Sequence, residues 1–339
     1  MNEEEIKTCE ISINEKVIPF SYKYMFNKSG KYNIKYSFTN SLTKMNFMFK
    51  DCWAMEYVNF SHFNTKNVTN MNNMVSGCTN LKNLNLTNFN TQNVTDMSFM
   101  FSCCSSLKHL DLSHFNAQSL TDMDHMFFAC HSLKNIILPI FNNKNTISIK
   151  GIFENCSSLK YIDLSKFNNQ KVGDSLERMF RECTSLKSID LTHLNTQNVI
   201  TMKDLFYKCE SLININLSNL NTQNVTDMSS MFNSCKSLKS IDLSSFNTQN
   251  VIDMRLMFFS CKSLKSLDLS NFSTQNVTNI AAIFNDCSSL RHLDLSNFDI
   301  HNITKREQMF KLCKSLRREN IITKDDIIIQ IFENDNKIE

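Results

Sequence analysis

The sequence is nearly devoid of glycine and proline, with 4 and 2 residues in 339. The residues that ordinarily build turns are missing from a long chain, so its turns must be made another way. Asparagine and aspartate are the alternative, because they tolerate left-handed backbone and their side chains close turns on nearby amides. Net charge is only +3 at pH 7, which argues against a dedicated nucleic-acid surface. No apolar run approaches the length of a membrane span. The opening Met1-Asn2-Glu3-Glu4-Glu5 is acidic where a secretory leader would be basic, and no apolar stretch follows it. There is no Cys-x-x-Cys pair, no Gly-rich phosphate loop, no His-Glu-x-x-His and no nucleophile elbow. No catalytic role, cofactor or metal is therefore expected.

What is present is a ruler. Cysteines stand at 52, 78, 104, 130, 156, 183, 209, 235, 261, 287 and 313. Each gap is 26 residues, except for 27 between Cys156 and Cys183. Thiol chemistry demands no such spacing, whereas a chain that returns to the same place every 26 residues does. We number each unit from its cysteine as position 0. In the unit of Cys235 the apolar residues are Leu238, Ile241, Leu243, Phe246, Val251, Met254, Met257 and Phe258, at +3, +6, +8, +11, +16, +19, +22 and +23. The step from +6 to +8 has the period of a strand, and +16, +19, +22, +23 fit one face of a short helix. Each coil is thus expected to hold a strand over about +4 to +8, a turn at Asn-Thr-Gln-Asn and a helical segment leading to the next cysteine. One coil alone buries too little to offset the entropy of ordering it, so the fold needs a long stack with end caps. Eleven of the thirteen cysteines fall in one column and read as a buried ladder of reduced thiols, since free cysteine behaves as a small hydrophobe. That favours a reducing compartment and, with no leader, a cytoplasmic location.

The Leu-x-x-[Leu/Ile]-x-Leu run resembles leucine-rich repeats. The full unit, seen without a gap at Thr222-Gln223-Asn224-Val225-Thr226-Asp227-Met228-Ser229-Ser230-Met231-Phe232, is similar to the 26-residue surface-protein repeats related to BspA-type leucine-rich repeats. The resemblance covers about residues 40–316. It implies an α/β solenoid, a right-handed stack of about ten to eleven coils. It also brings a second option for function, a structural, self-associating or adhesive rod at a cell surface reached by a non-classical route. The asparagine of ordinary leucine-rich repeats stands one place later here (Asn90, Asn116, Asn247), so the turn is expected to differ.

The ends leave the ruler. Over residues 1–39, Phe20, Tyr22, Tyr24 and Phe26 alternate, as do Tyr32, Ile34, Tyr36 and Phe38, with Asn27-Lys28-Ser29-Gly30 between them. This predicts an aromatic hairpin capping the first coil, with Trp53 packed against it. Residues 40–316 form the solenoid and 317–339 a C-terminal cap and tail. There the isoleucines from Ile321 to Ile331 favour a strand, although Thr323-Lys324-Asp325-Asp326 also suits a helix cap. The tail from Glu333 is expected to fray. The coil of Cys130 is irregular: Ile137 replaces the usual Asp or Asn at +7, and Pro139 and Gly151 intrude.

Side chains at +4, +5 and +7 face outward. Position +4 is a basic column and +7 an acidic one, and adjacent columns of opposite sign are expected to offset each other. Position +5 varies most. The leading reading is a non-catalytic scaffold that binds another protein through this strand face, without nucleic acid, membrane or cofactor. The candidate contact residues are Tyr57, His109, Asp111, Tyr161, Asp163, Asp190, Asp242, Asp268, His292 and Asp294.

Overall fold

The computed structural model describes residues 3–21, 24–141 and 144–337. Residues from 42 to 316 wind into a solenoid of about ten coils. One wall carries the short strands β4 (Tyr57–Asn59), β5 (Asn83–Asn85), β6 (His109–Asp111), β7 (Asn135–Ile137), β9 (Ser188–Asp190), β11 (Asn214–Asn216), β12 (Ser266–Asp268) and β13 (His292–Asp294). All pair in parallel, one coil against the next, in register at +5, +6 and +7. β8 (Gln170–Lys171) and β10 (Leu194–Asn195) add a small parallel pair past the strand wall.

The second wall replaces the expected helical segment. There is no helix over +16 to +23 in any coil; the chain runs through successive turns. The reason is the backbone at +21 and +25, which is left-handed in coil after coil: Phe99 and Cys103, His125 and Ala129, Ser230 and Ser234, Leu256 and Ser260. A residue at positive φ ends a right-handed helix. The hydrogen bonds follow from this. In an α-helix every N–H bonds within its own segment. Here alternate amides leave the coil: Phe99, Phe101 and Cys103 donate to the carbonyls of Asp124, Met126 and Phe128 at 2.9, 3.0 and 2.7 Å. The amides between them, of Met100, Ser102 and Cys104, close turns onto Met97, Phe99 and Phe101 at 3.2, 3.0 and 3.1 Å. The apolar spacing of a short helix is thus met by a turn wall that also bonds between coils.

The turn wall is the more continuous of the two walls. At +18 a column of parallel bridges runs from Lys44 through Asn70, Asp96 and Asp122 to Ser148, and again from Ser175 to Lys305. It is interrupted where the 27-residue coil carries its extra residue, between Val172 and Ser175. The strand wall is less continuous: among the described residues no ladder joins β5 to β6, and residues 161–163 pair with neither neighbour.

Between the walls lies the core. Phe101, Phe127, Phe153, Phe180, Phe206, Phe232, Phe258, Phe284 and Phe310, all at the +23 register, stack ring on ring with centroids 5.5–6.0 Å apart. The cysteine column is buried from Cys78 to Cys313, ten of the eleven expected; Cys52 is exposed. Each buried thiol of the column donates to the +23-register carbonyl of the unit two before, about 29 residues back, as Cys130 Sγ does to Phe101 at 3.1 Å and Cys209 Sγ to Phe180 at 3.1 Å. Position +6 is less uniform than the pattern implies. Leu267 is fully buried, whereas Ile241 only packs against the core from its edge.

Up to three Asx turns in a coil supply what glycine and proline do not. The side chain at +7 accepts the amide at +9, as Asp242 does from Ser244 at 2.9 Å. The side chain at +12 accepts the amide at +14, as Asn247 does from Gln249 at 3.1 Å. At +18, Asp253 accepts from Arg255 at 2.9 Å.

Both ends differ from expectation. β1 (Cys9–Ile13) pairs with β2 (Lys16–Ile18) and with β3 (Ile34–Phe38), both antiparallel, behind a short helix α1 (Glu3–Lys7). The hairpin turns at Asn14-Glu15, both left-handed, and not at Asn27–Gly30. Phe20, Tyr24 and Phe26 lie outside any strand, and Tyr22 falls outside the described residues. Trp53 is not packed against this sheet but is 66% exposed. At the other end only Ile321–Ile322 form a strand, β14, on β13. The remaining isoleucines lie in helix α2 (Asp326–Asp335), whose first turn is capped by Asp325 accepting from Ile327 at 2.9 Å. Glu333 belongs to this helix and not to a frayed tail. The cap overrides the strand preference of isoleucine because Ile328 and Phe332 then share one buried face.

Candidate functional site

The strand wall presents the +5 and +7 side chains together. Tyr57 and Tyr161 are 59% and 57% exposed, and His109, Asp111, Asp163, Asp190, Asp242, Asp268 and His292 are exposed with them; Asp294, nearer the C-terminal cap, is half-buried. His109 meets the next coil through its Nδ1, 3.0 Å from the Asn135 amide.

The carboxylates at +7 have a structural task that the sequence reading did not assign. One oxygen of each is committed to the following turn: Asp111 to Ser113 at 2.8 Å, Asp163 to Ser165 at 2.8 Å, Asp190 to Thr192 at 2.9 Å, Asp268 to Ser270 at 2.9 Å and Asp294 to Ser296 at 2.9 Å. The hydroxyl and then the amide of Ser113, Ser165, Ser244 and Ser270 hold Asp111, Asp163, Asp242 and Asp268 below the ordinary carboxylate range. Burial pushes Asp190 up, but the Thr192 hydroxyl and amide, His193 and the Asn216 side chain together bring it below that range. Among the described residues no ion pair joins the basic +4 column to the +7 carboxylates, which are engaged by these local bonds. Where the column holds asparagine, as at Asn59, Asn85 and Asn216, the same turn forms.

Part of this wall is concave. Tyr161, Asp163, Ser188, Asp190, Asn214 and Asn216, over a floor of Ile162, Ile189 and Ile215, line an open depression of about 470 Å³. It lies where residues 161–163 lack a ladder to either neighbour. Three of the candidate residues, Tyr161, Asp163 and Asp190, meet there; the others are spread along the wall.

A second cluster was not legible in the repeat, because it sits on the turn wall at positions that are uncharged in most coils. Arg181 Nη1 lies 3.0 Å from Asp204, its Nε 3.4 Å from Glu154, and its guanidinium stacks 4.5 Å from the Tyr207 ring. Lys150–Glu177 at 2.9 Å, His125–Glu154 at 3.4 Å and Lys208–Glu182 at 3.3 Å extend the network. Gly151 is required in it, since its φ is +57° and the His125 ring fills the space a Cβ would need. The signal was a run of charged residues at +20 to +25, densest in these coils. Acids and bases alternate here, so the cluster staples the irregular coils together and displays no single charge.

Among the described residues one group has metal-ligand geometry: Asp299, His301 and Asp325, with ligand atoms within 4.8 Å of one another. His301 pairs with Asp299 at 2.9 Å, and Asp325 is already the cap of α2. The histidines at +10, His62, His114 and His193, stand in separate coils, and His114 lies 2.8 Å from the Leu86 carbonyl.

The repeat that builds both walls matches a family model described as "Mycoplasma protein of unknown function, DUF285", in overlapping segments 43–167, 131–241, 174–266 and 237–327. The chain belongs to this family. The DUF285 match spans the solenoid, leaves β1 to β3 outside, and ends in the first turn of α2. No curated protein matches the chain. Solved structures that resemble it include a leucine-rich-repeat protein of T. pallidum, 19% identical with a TM-score of 0.32, covering 58% of this chain and 72% of that one. A leucine-rich-repeat protein of Leptospira interrogans is 18% identical with a TM-score of 0.32, covering 81% of this chain and 78% of that one. TLR13, in its complex with ssRNA13, is 19% identical with a TM-score of 0.29; the match covers 81% of this chain and 44% of that one. Their spatial agreement with the DUF285 solenoid is too loose to transfer a site. Among the described residues no helix is long and apolar enough to cross a membrane.

Proposed function

We propose that this DUF285 protein is a non-catalytic recognition scaffold that binds another protein through its strand wall. The observation that carries the reading is the depression at Tyr161, Asp163 and Asp190, where exposed aromatic, acidic and amide groups converge over an apolar floor. Tyrosine is enriched at binding hot spots. Ile137, 49% exposed, stands at +7 of the preceding coil, a position that carries Asp or Asn in most coils.

The test compares partner recovery by wild-type protein with that by Tyr161→Ala/Ile137→Ser and by a turn-wall control, Ile252→Ser, each shown to be folded by circular dichroism. The reading expects the strand-wall variant to lose the partner that wild type and control retain. A partner retained by the strand-wall variant and lost by the control overturns it.

A further inference from the structure

The depression has a charge pattern that specifies what enters it. Its lining holds two carboxylates, Asp163 and Asp190, and no cationic side chain. Each has one oxygen bound in a turn, and the charge remains, since those turn bonds leave both carboxyls below the ordinary carboxylate range. Lys166 and His193 approach from the turn that follows the strand, and the +4 lysines, Lys160 and Lys187, stand at the rim. The two acids belong to successive coils, at least about 5 Å apart along the stack, a span that one guanidinium or ammonium can bridge. Tyr161, 57% exposed, turns toward solvent beside them, and Ile137 flanks it one coil back. A cation over a tyrosine ring is favourable, and the aliphatic stem of arginine or lysine covers apolar surface while its head stays polar. Elsewhere on the wall +7 acids are paired with Ser or His at +5, as at Ser240 and Asp242, Ser266 and Asp268, or His292 and Asp294. Of the two tyrosines at +5, Tyr57 and Tyr161, only Tyr161 stands beside adjacent +7 acids.

Building on the recognition reading above, we infer that the depression receives a basic side chain, arginine or lysine, from an extended segment of the protein partner. Its charged head lies between Asp163 and Asp190, and its stem lies on Tyr161 and Ile137.

The probe is a fluorescein-labelled peptide of alternating arginine and serine, about eight residues long, enough to cross the face when extended. Its anisotropy is measured with wild type, D163N/D190N, Y161A and D242N/D268N. Asparagine preserves the turn, as Asn59, Asn85 and Asn216 show, so the aspartate variants stay folded and lose only charge. The expected result is saturable binding that weakens by about tenfold or more in D163N/D190N and severalfold in Y161A. D242N/D268N, with the same loss of charge two and three coils further on, should change by less than about twofold. Equal weakening by both double variants shows diffuse attraction and overturns the assignment, as does absence of saturable binding or equal binding of a glutamate–serine peptide. Loss of a native partner from the Tyr161→Ala/Ile137→Ser protein, combined with no binding of the basic peptide, rejects the cationic assignment and leaves the scaffold reading intact.

Discussion

The hydroxyl of Thr222 and the backbone of Asn247 hold each other across one coil: Oγ1 donates to the Asn247 carbonyl at 2.9 Å and accepts the Asn247 amide at 2.8 Å. The same closed pair recurs at +13 with Thr65, Thr91, Thr196, Thr248 and Thr274, and all six threonines are buried. They stitch the coils together on the side between the two walls.

Thr222→Val keeps the shape and removes both bonds, leaving a buried amide and carbonyl with fewer partners. It should cost about 1–3 kcal/mol in urea unfolding. Thr278→Val, which removes an exposed hydroxyl 3.4 Å from its acceptor, should stay within about 0.5 kcal/mol. Equal effects would remove the threonine column from the account.

The left-handed columns make a prediction of opposite signs. Ser234 stands at φ +61°. Ser234→Gly should be close to neutral, while Ser234→Val should cost about 1–2 kcal/mol, because a branched Cβ is strained there. The same change at Ser240, on the strand wall, should be neutral or mildly favourable. Thermal unfolding of the three variants separates the turn wall described here from a helix, in which Ser234→Gly would be the damaging change.

Burial pushes the thiols of Cys78, Cys130, Cys183 and Cys313 up to about 12, so they carry almost no reactive thiolate at neutral pH. Native protein treated with iodoacetamide should be labelled at Cys52 and Cys103, the cysteines with surface exposure, and in the buried column only after unfolding. Peptide mass spectrometry reads this directly; native labelling of Cys209 or Cys235 would contradict the ladder.

The turn-forming aspartates set an acid sensitivity. Asp111, Asp163, Asp242 and Asp268 have folded-state values below the ordinary one of about 3.9. Their contribution is therefore present above that value and is lost as pH falls through the lowered ones. A protein with asparagine at all four positions should lose less of its urea midpoint between pH 7 and pH 3 than wild type does. An identical loss would place the acid sensitivity elsewhere.

Much of this was legible in the sequence, and the misses have physical causes. The cysteine ruler and the columns at +3, +8, +16 and +19 mark the core because stacked coils must repeat their inward residues. The turn wall was misread as helix because +19, +22 and +23 lie on one face in either conformation. The left-handed positions held the discriminating signal: apart from Gly77 and Gly151 they are filled by residues such as Asn73, Asp204, Ser260 and Leu312, and none is valine, isoleucine or threonine. The +7 aspartates looked like free contact groups, but the serine or threonine two places on marks most of them as turn formers. The Arg181 network crosses coils at positions where the repeat is silent, and no column predicts it.

The claim that the strand wall is the binding surface is tested most directly by photocrosslinking. A benzoyl-phenylalanine is placed at Tyr161 in one protein and at Ile252, exposed on the turn side, in another. Irradiation in the presence of the native partner should yield an adduct from position 161 and none from 252. An adduct from 252 alone would contradict the account.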